Sequence, residues 1–151
     1  MASTLVKVYV HVMFHVKTTG VPMQSGDLPR IFSYLAGVVR GIGGVPVAVG
    51  GIEDHVHILS SLPKTMSLSD FVKNVKTESS KWLKTMGEHY QKFAWQDGYG
   101  AFSVSSSVLA KTQEYIMNQA AHHKTRSFDD EYRALLKAYG IDFDEKYAFT
   151  D

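Results

Sequence analysis

Apolar positions in the first half of the chain follow two different spacings. Residues 5–16 are rich in β-branched and aromatic side chains that partly alternate with polar ones, which predicts a long first strand. Apolar residues then recur at helical spacing over 28–42, and glycines end that segment. Residues 45–52 and 55–62 are two apolar strand candidates, joined by the short turn Glu53-Asp54. This half of the chain therefore predicts the order strand, helix, strand, strand.

The second half continues with a helix and a further strand. Ser67 is a candidate N-cap for a helix over 67–86. Residues 93–105 contain a glycine break and predict one or two strands, and helices are expected over 105–123 and 129–139. The order β-α-β-β-α-β with appended helices predicts an α+β fold. It would be a ferredoxin-like antiparallel sheet of four to five strands covered by helices, with further helices at the C-terminal end.

Composition limits the class of protein. A chain of 151 residues with 44% hydrophobic and 21% charged residues is expected to form one domain over 1–151, ending in an acidic tail at about 141–151. It contains no cysteine, which excludes a disulfide framework, a thiolate metal site and a cysteine nucleophile. No apolar run approaches the roughly 20 residues of a membrane span, and the N-terminus lacks signal-peptide features. A cytoplasmic protein with no membrane contact is predicted.

Charge is unevenly distributed although the net charge is only +1. Residues 1–127 carry 13 Lys+Arg against 8 Asp+Glu, a difference of +5, whereas residues 128–151 carry 3 against 7, a difference of −4. A mildly basic body could contact phosphates, but on charge alone an ordinary solvated surface is equally well supported.

The most informative motif is His55-Val56-His57. On a strand, both imidazoles point to the same face while Val56 points to the other, so the pair can chelate one divalent ion. Two half-exposed sheet histidines are the alternative, and the dyad alone favours it. His11 and His15 share a face of the first strand and are interpreted as sheet-surface or neighbouring core residues.

A second group of polar residues lies in the predicted helix 105–123. Tyr115 and Gln119 are four residues apart and therefore share one helical face, where an amide oxygen can serve as a hard metal ligand. His122 returns to that face and His123 lies beside it; phosphate-facing or solvated roles are favoured over ligation. Two imidazoles, an amide oxygen and a phenol together indicate a tyrosine nucleophile assisted by a metal ion.

These residues, in this order, resemble the single-tyrosine transposases of the HUH endonuclease superfamily, the small IS200-like insertion-sequence group. The matching segments are Asp54-His-Val-His-Ile58, Tyr115-Ile-Met-Asn-Gln-Ala-Ala-His-His123 and Trp95-Gln-Asp-Gly-Tyr-Gly-Ala-Phe-Ser-Val104. Phe128-Asp-Asp-Glu131 and Ile141-Asp-Phe-Asp144 are also similar. The His-x-His motif is weak by itself, but the ordered set is specific.

The resemblance implies an activity and a set of roles. Members cut single-stranded DNA, often beside hairpins, with Mg²⁺ or Mn²⁺. They leave a 5′-phosphotyrosine and a free 3′-hydroxyl, then rejoin strands, and they work as homodimers. Carried over, Tyr115 would be the nucleophile, and His55, His57 and Gln119 the metal ligands. Asp54 could orient a ligand histidine, although a turn role is the simpler reading. The candidate DNA contacts are Lys73, Lys76, Lys84, His122, His123, Lys124 and Arg126, for which a solvated surface is an equal alternative.

Three other functions remain open. A domesticated relative would process genomic palindromes instead of moving an element. A catalytically silent module would bind hairpins on the same scaffold and form no covalent product. An ordinary metal-dependent hydrolase would cut DNA without a protein adduct.

Overall fold

Four strands form one antiparallel sheet in the computed structural model, which describes residues 3–123 and 126–149, with the backbone alone at 146 and 147. The strands are β1 (Tyr9–His15), β2 (Pro46–Ile52), β3 (His55–Ser61) and β4 (Gly100–Val104), in the spatial order β2-β3-β1-β4. All neighbouring strands are antiparallel. The predicted ferredoxin-like α+β fold is confirmed, with four strands among the described residues.

Helices α1 (Leu28–Gly41) and α2 (Leu68–Leu83) cover one face of the sheet. The apolar stripe of α1, formed by Ile31, Leu35 and Val39, is completely buried. The Ser67 side chain accepts a hydrogen bond of 3.0 Å from the Asp70 N–H, so the predicted N-cap of α2 is confirmed. This layer contains the larger core and supports the sheet from behind.

The opposite face of the sheet carries the C-terminal third of the chain. It packs against α3 (Leu109–Met117), α4 (Gln119–His122) and α5 (Phe128–Ala138), and a short α6 (Glu145–Ala148) follows. Phe128, Tyr132 and Leu136 of α5 pack with Met13 and Phe102 of the sheet. No helix among the described residues is both long and apolar enough to cross a membrane.

Several element boundaries differ from the predictions. The first strand begins at Tyr9, since β3 and β4 pair with β1 only from that residue onward. Residues 93–105 form one short strand and an isolated bridge between Trp95 and Val16. The helix expected over 105–123 starts with a 3₁₀ turn and breaks at Asn118, where ψ is 22°. The sequence predicts an acidic tail without a helix over about 141–151. In the structure, α6 lies within this tail and Phe149 packs on Tyr132.

Candidate metal and nucleophile site

Four histidines lie on the sheet face that is opposite α1 and α2. His55 and His57 alternate along β3, and β1 places His15 beside His55 and Met13 beside His57. His11 and His15 are 3% and 6% exposed, and His55 and His57 are fully buried. The half-exposed alternative for His55 and His57 is therefore wrong, and His11 and His15 belong to the same buried layer.

The outer nitrogens of the two motif histidines are held by neighbouring side chains. Asp54 Oδ1 lies 2.7 Å from His55 Nδ1, and His11 Nε2 lies 2.7 Å from His57 Nδ1. Such contacts fix the orientation of each ring. They leave both Nε2 atoms directed at the same space beneath α4 and α5.

Tyr115 and Gln119 reach this space from α3 and α4. Gln119 is 1% exposed, and its Oε1 lies 3.0 Å from His55 Nε2 and 3.1 Å from His123 Nε2. The ring of Tyr115 is half-buried, with its centroid 6.0 Å from that of His57. Although the helix breaks at Asn118, the four residues predicted to form the site converge within a single chain.

Glu131, on α5, is the residue that sequence reasoning did not select. Its carboxylate is 1% exposed, with Oε1 3.0 Å from His57 Nε2 and 3.5 Å from His55 Nε2. The other oxygen, Oε2, accepts hydrogen bonds from the Tyr115 hydroxyl and, at 3.1 Å, from Gln119 Nε2. Glu131 thus contacts both the histidine pair and the nucleophile candidate.

A signal for Glu131 was present in the helical pattern. Phe128, Tyr132 and Leu135 follow one another at steps of four and three residues, and Glu131 falls on the same face. A carboxylate on the buried face of an amphipathic helix requires partners, because burying an unpaired charge is costly. That argument identifies Glu131 as a candidate but does not say which partners it meets.

Hydrogen bonding determines the protonation of His55. Both ring nitrogens face oxygen atoms that can only accept, Asp54 Oδ1 and Gln119 Oε1, so the ring donates from both. Burial opposes the positive charge, but hydrogen bonds to Asp54 and Glu131 outweigh it and raise the pKa of His55 to about 9. With this pKa the imidazole is a cation at pH 7, hydrogen-bonded on both sides to oxygen acceptors.

The remaining groups are neutral or anionic for related reasons. Burial, reinforced by nearby His57, lowers the pKa of His11 to about 3. Burial also lowers the pKa of His57, although Glu131 partly opposes the shift. For Tyr115, burial and then the hydrogen bond to Glu131 raise the phenol pKa above its ordinary value. Despite burial, hydrogen bonds from His55 and His57 keep the pKa of Glu131 far below its usual range.

The donor set fits a divalent cation. His55, His57 and Glu131 each place one ligand atom within 4.8 Å of the others, and Gln119 Oε1 adds an amide oxygen. Ligands about 2.1 Å from an octahedral ion lie about 3.0 Å apart. The nitrogen–oxygen separations of 3.0 Å to Gln119 and to Glu131 match that spacing. Nitrogen and hard oxygen donors together suit Mg²⁺ or Mn²⁺.

The predicted DNA-contact residues do not form a single patch. His123 belongs to the metal-site cluster, with Nε2 3.4 Å from Glu131 Oε1, and the His122 ring lies 4.8 Å from that of Tyr115. Arg126 is exposed, and Lys124 lies outside the described residues. The other candidates line an open groove between α2 and residues 94–99.

We call this the α2 groove; its lining includes five lysines and one acidic residue. These are Lys17, Lys73, Lys76, Lys81, Lys84 and Asp97. Lys76 Nζ donates to the backbone carbonyls of residues 96, 97 and 98, at 2.7, 3.3 and 2.5 Å, so its ammonium anchors this segment. Lys73 and Lys84 are exposed.

Comparison with known proteins agrees with this architecture. The family model described as "Transposase IS200 like" matches residues 4–119, and the chain belongs to this family. A candidate transposase from Deinococcus radiodurans R1 superposes with a TM-score of 0.60 at 22% identity, covering 79% of this chain and 95% of that one. A REP-associated tyrosine transposase bound to a REP hairpin gives a TM-score of 0.57 at 12% identity, covering 82% and 73%. No curated protein matches the chain significantly.

Membership of this family supports a transposase role for the protein, and hence an enzyme that processes DNA. The two solved structures show the same fold, and the buried His55-His57-Glu131 group is compatible with the metal binding of HUH enzymes.

Proposed function

We propose that this protein cuts and rejoins single-stranded DNA through a 5′-phosphotyrosine, and so excises or inserts a mobile element. The proposal depends on one observation: the buried carboxylate of Glu131 contacts both the Tyr115 hydroxyl and the Nε2 atoms of His55 and His57. A phenol beside a cation site is the arrangement that metal-assisted phosphoryl transfer to tyrosine requires.

Each residue has a defined task in this reaction. His55, His57 and Gln119 hold the divalent ion, Mg²⁺ or Mn²⁺. When bound, that ion supplies Lewis-acid polarisation of the scissile phosphate. Asp54 and His11 keep the ligand imidazoles in orientation, since they contact the Nδ1 atoms.

Tyr115 performs the displacement. Its oxygen forms a bond to phosphorus while the bond between phosphorus and the 3′ oxygen breaks. Overall the phenolic proton is transferred to the leaving oxygen, which becomes a 3′-hydroxyl. Because burial raises the pKa of Tyr115, the residue is a neutral phenol at pH 7 and reacts only where the phosphate is polarised. The phosphotyrosine conserves the bond energy for rejoining.

The substrate we propose is single-stranded DNA with hairpins at the element ends. The positive charge of the lysines in the α2 groove favours phosphate binding, and we propose that Lys73 and Lys84 contact the DNA backbone. Lys76, His122, His123 and Arg126 stay candidates for the same role. We further propose a single cytoplasmic domain that acts as a homodimer.

The test uses strands copied from the DNA that flanks the gene, labelled at the 3′ end because that fragment would remain on the tyrosine. We expect a labelled protein band on a denaturing gel that requires Mn²⁺ or Mg²⁺ and is lost in Tyr115→Phe and His57→Ala. Tyr34→Phe is the matched control, since Tyr34 stacks on Trp82 away from the site.

Other outcomes separate the alternatives. Hairpin binding without any adduct would contradict the proposal and favour the silent binding module. Cleavage without a band, persisting in Tyr115→Phe, would indicate a nuclease that uses water.

A further inference from the structure

The two oxygens of the Glu131 carboxylate face different parts of the site. Oε1 lies among three imidazole nitrogens, 3.0 Å from His57, 3.5 Å from His55 and 3.4 Å from His123. Oε2 faces α3 and α4 and accepts hydrogen bonds from the Tyr115 hydroxyl and from Gln119 Nε2. One side chain from α5 therefore joins the cation site to the phenol.

We propose that Glu131 is an additional ligand of the divalent ion, through Oε1, and a positioning residue for Tyr115, through Oε2. This inference rests on the proposed metal-dependent cleavage and adds an anionic ligand to it. With His55, His57 and Gln119 alone, every ligand is neutral when the ion binds. Glu131 supplies the negative charge and hard oxygen that Mg²⁺ and Mn²⁺ favour.

The geometry distinguishes a ligand from a simple ion-pair partner. A carboxylate that served only to neutralise His55 would need contact with that ring alone, and Asp54 already provides it at 2.7 Å. Oε1 of Glu131 instead lies near the Nε2 atoms of three histidines, and the nearest of them belongs to His57. Nitrogen donors gathered around one buried oxygen mark a position where a cation can replace their protons.

The second oxygen sets where the nucleophile rests. Tyr115 and Glu131 lie on separate helices, so the hydroxyl is positioned by α5 as well as by α3. Correct placement of a reacting atom lowers the activation barrier substantially, and even a small displacement slows the reaction. Loss of this contact should therefore slow the tyrosine reaction even when the metal site is filled.

Two measurements on full-length protein test the two roles separately. Binding of Mn²⁺ alone, followed by electron paramagnetic resonance of the free ion, reports ligation without DNA. The single-turnover rate of adduct formation at saturating Mn²⁺ reports positioning. The variant is Glu131→Gln, which keeps the shape and removes the charge. Asp129→Asn is the control, because it is an exposed acid in the same helical turn.

We expect Glu131→Gln to weaken Mn²⁺ binding about 10- to 100-fold, a range known for residues that support metal sites. We also expect a slower adduct rate at saturating Mn²⁺, with Asp129→Asn like wild type in both measurements. Thermal unfolding monitored by circular dichroism establishes that each variant is folded. If Glu131→Gln does not fold, Glu131→Asp retains the charge, and the same slowing at saturating Mn²⁺ is expected because its carboxylate is withdrawn by one methylene.

The results overturn different statements. Unchanged Mn²⁺ affinity in Glu131→Gln would remove the ligand role while the proposed cleavage stands. Weaker binding with a wild-type rate at saturating Mn²⁺ would remove the positioning role. Wild-type protein that binds no Mn²⁺ would overturn both this inference and the proposed function.

Discussion

At the residue scale, the chemistry of each imidazole depends on what its second nitrogen contacts. His55 and His57 are one pleat apart on the same strand, yet burial and hydrogen bonding move their pKa values in opposite directions. Burial lowers both pKa values, but for His55 the hydrogen bonds to Asp54 and Glu131 outweigh burial, whereas for His57 the contact with Glu131 does not. Two chemically identical side chains of the candidate metal site therefore differ in protonation.

Asp54 offers a direct test of this argument. Its carboxylate accepts a hydrogen bond from His55 Nδ1, which makes Nε2 a more basic donor and orients the ring. We expect Asp54→Ala to weaken Mn²⁺ binding by about tenfold, within the range seen when such supporting contacts are removed. Titration of the free ion by electron paramagnetic resonance measures the change.

Glu53→Gln is the matched control for Asp54→Ala. Glu53 is an exposed acid in the same turn, and its hydrogen bond to Met23 uses only the backbone carbonyl. Equal losses in the two variants would show that general negative charge near the site, rather than contact with His55, accounts for the affinity.

Residue-scale prediction from sequence succeeded where the argument was local. A two-residue period predicts that His55 and His57 share a face, and a four-residue helical step predicts the same for Tyr115 and Gln119. Neither period predicts which residues from other elements come within 3 Å. Glu131 was missed for that reason, because its partners lie 74 and 16 residues away along the chain.

At the element scale, the position of α3 depends on a glycine of the edge strand β2. A Cβ built on Gly50 would lie 2.4 Å from the backbone oxygen of Ile116, so helix and strand can approach this closely only without a side chain. Ile116 directly follows Tyr115 and is fully buried. The contact therefore sets the distance between α3 and the sheet.

Gly50→Ala should consequently push α3 away from the sheet. We expect a loss of about 1–3 kcal/mol in the free energy of unfolding, typical of overpacking a close contact, and slower formation of the tyrosine adduct. Chemical denaturation and single-turnover kinetics measure the two effects.

The same substitution at Gly37 should act in the opposite direction. Gly37 is exposed within α1 and a Cβ there meets nothing within 4 Å, so Gly37→Ala is expected to stabilise the protein by about 0.5–1 kcal/mol. The adduct rate should remain that of wild type. Similar stability changes at both positions would rule out the α3–β2 contact as the origin of the Gly50 effect.

Element boundaries were predicted less well than element order. The order β-α-β-β-α-β follows from local periodicity and is confirmed, but the length of β1 depends on how far β3 and β4 extend beside it. Likewise, residues 105–123 have a continuous helical pattern, yet the N–H of Asn118 bonds to both Glu114 and Tyr115 and the helix is interrupted there. The extent of β1 is decided by its tertiary partners, which a single-sequence pattern does not contain.

At the scale of the whole molecule, positive and negative charge are separated along the chain. The basic body contributes the lysines of the α2 groove, whereas the acidic C-terminal segment contributes α5 and the residues after it. Part of the acidic charge is neutralised locally, since Arg133 pairs with Glu145 at 2.9 Å and with Asp130 at 3.3 Å. The groove remains a region of one dominant sign, which is the electrostatic footprint expected for a phosphate backbone.

The groove makes a quantitative prediction about salt. Each phosphate neutralised by a lysine adds about 0.9 to the steepness with which log affinity for duplex DNA falls with log salt concentration. We expect Lys73→Ala and Lys84→Ala each to weaken binding of a hairpin oligonucleotide and to reduce that slope by about one. Fluorescence anisotropy over a range of salt concentrations measures both quantities.

Lys64→Ala and Lys76→Ala complete the experiment. Lys64 is exposed but lies outside the groove lining, so its removal should leave the slope unchanged. The ammonium of Lys76 is occupied by three carbonyls and packs over the rings of Phe14 and Tyr99, so Lys76→Ala should lower thermal stability through the 96–98 segment. If Lys73→Ala and Lys84→Ala leave the salt dependence of binding unchanged, the hairpin binds outside the α2 groove. That result would not bear on the tyrosine chemistry, which the protein–DNA adduct tests separately.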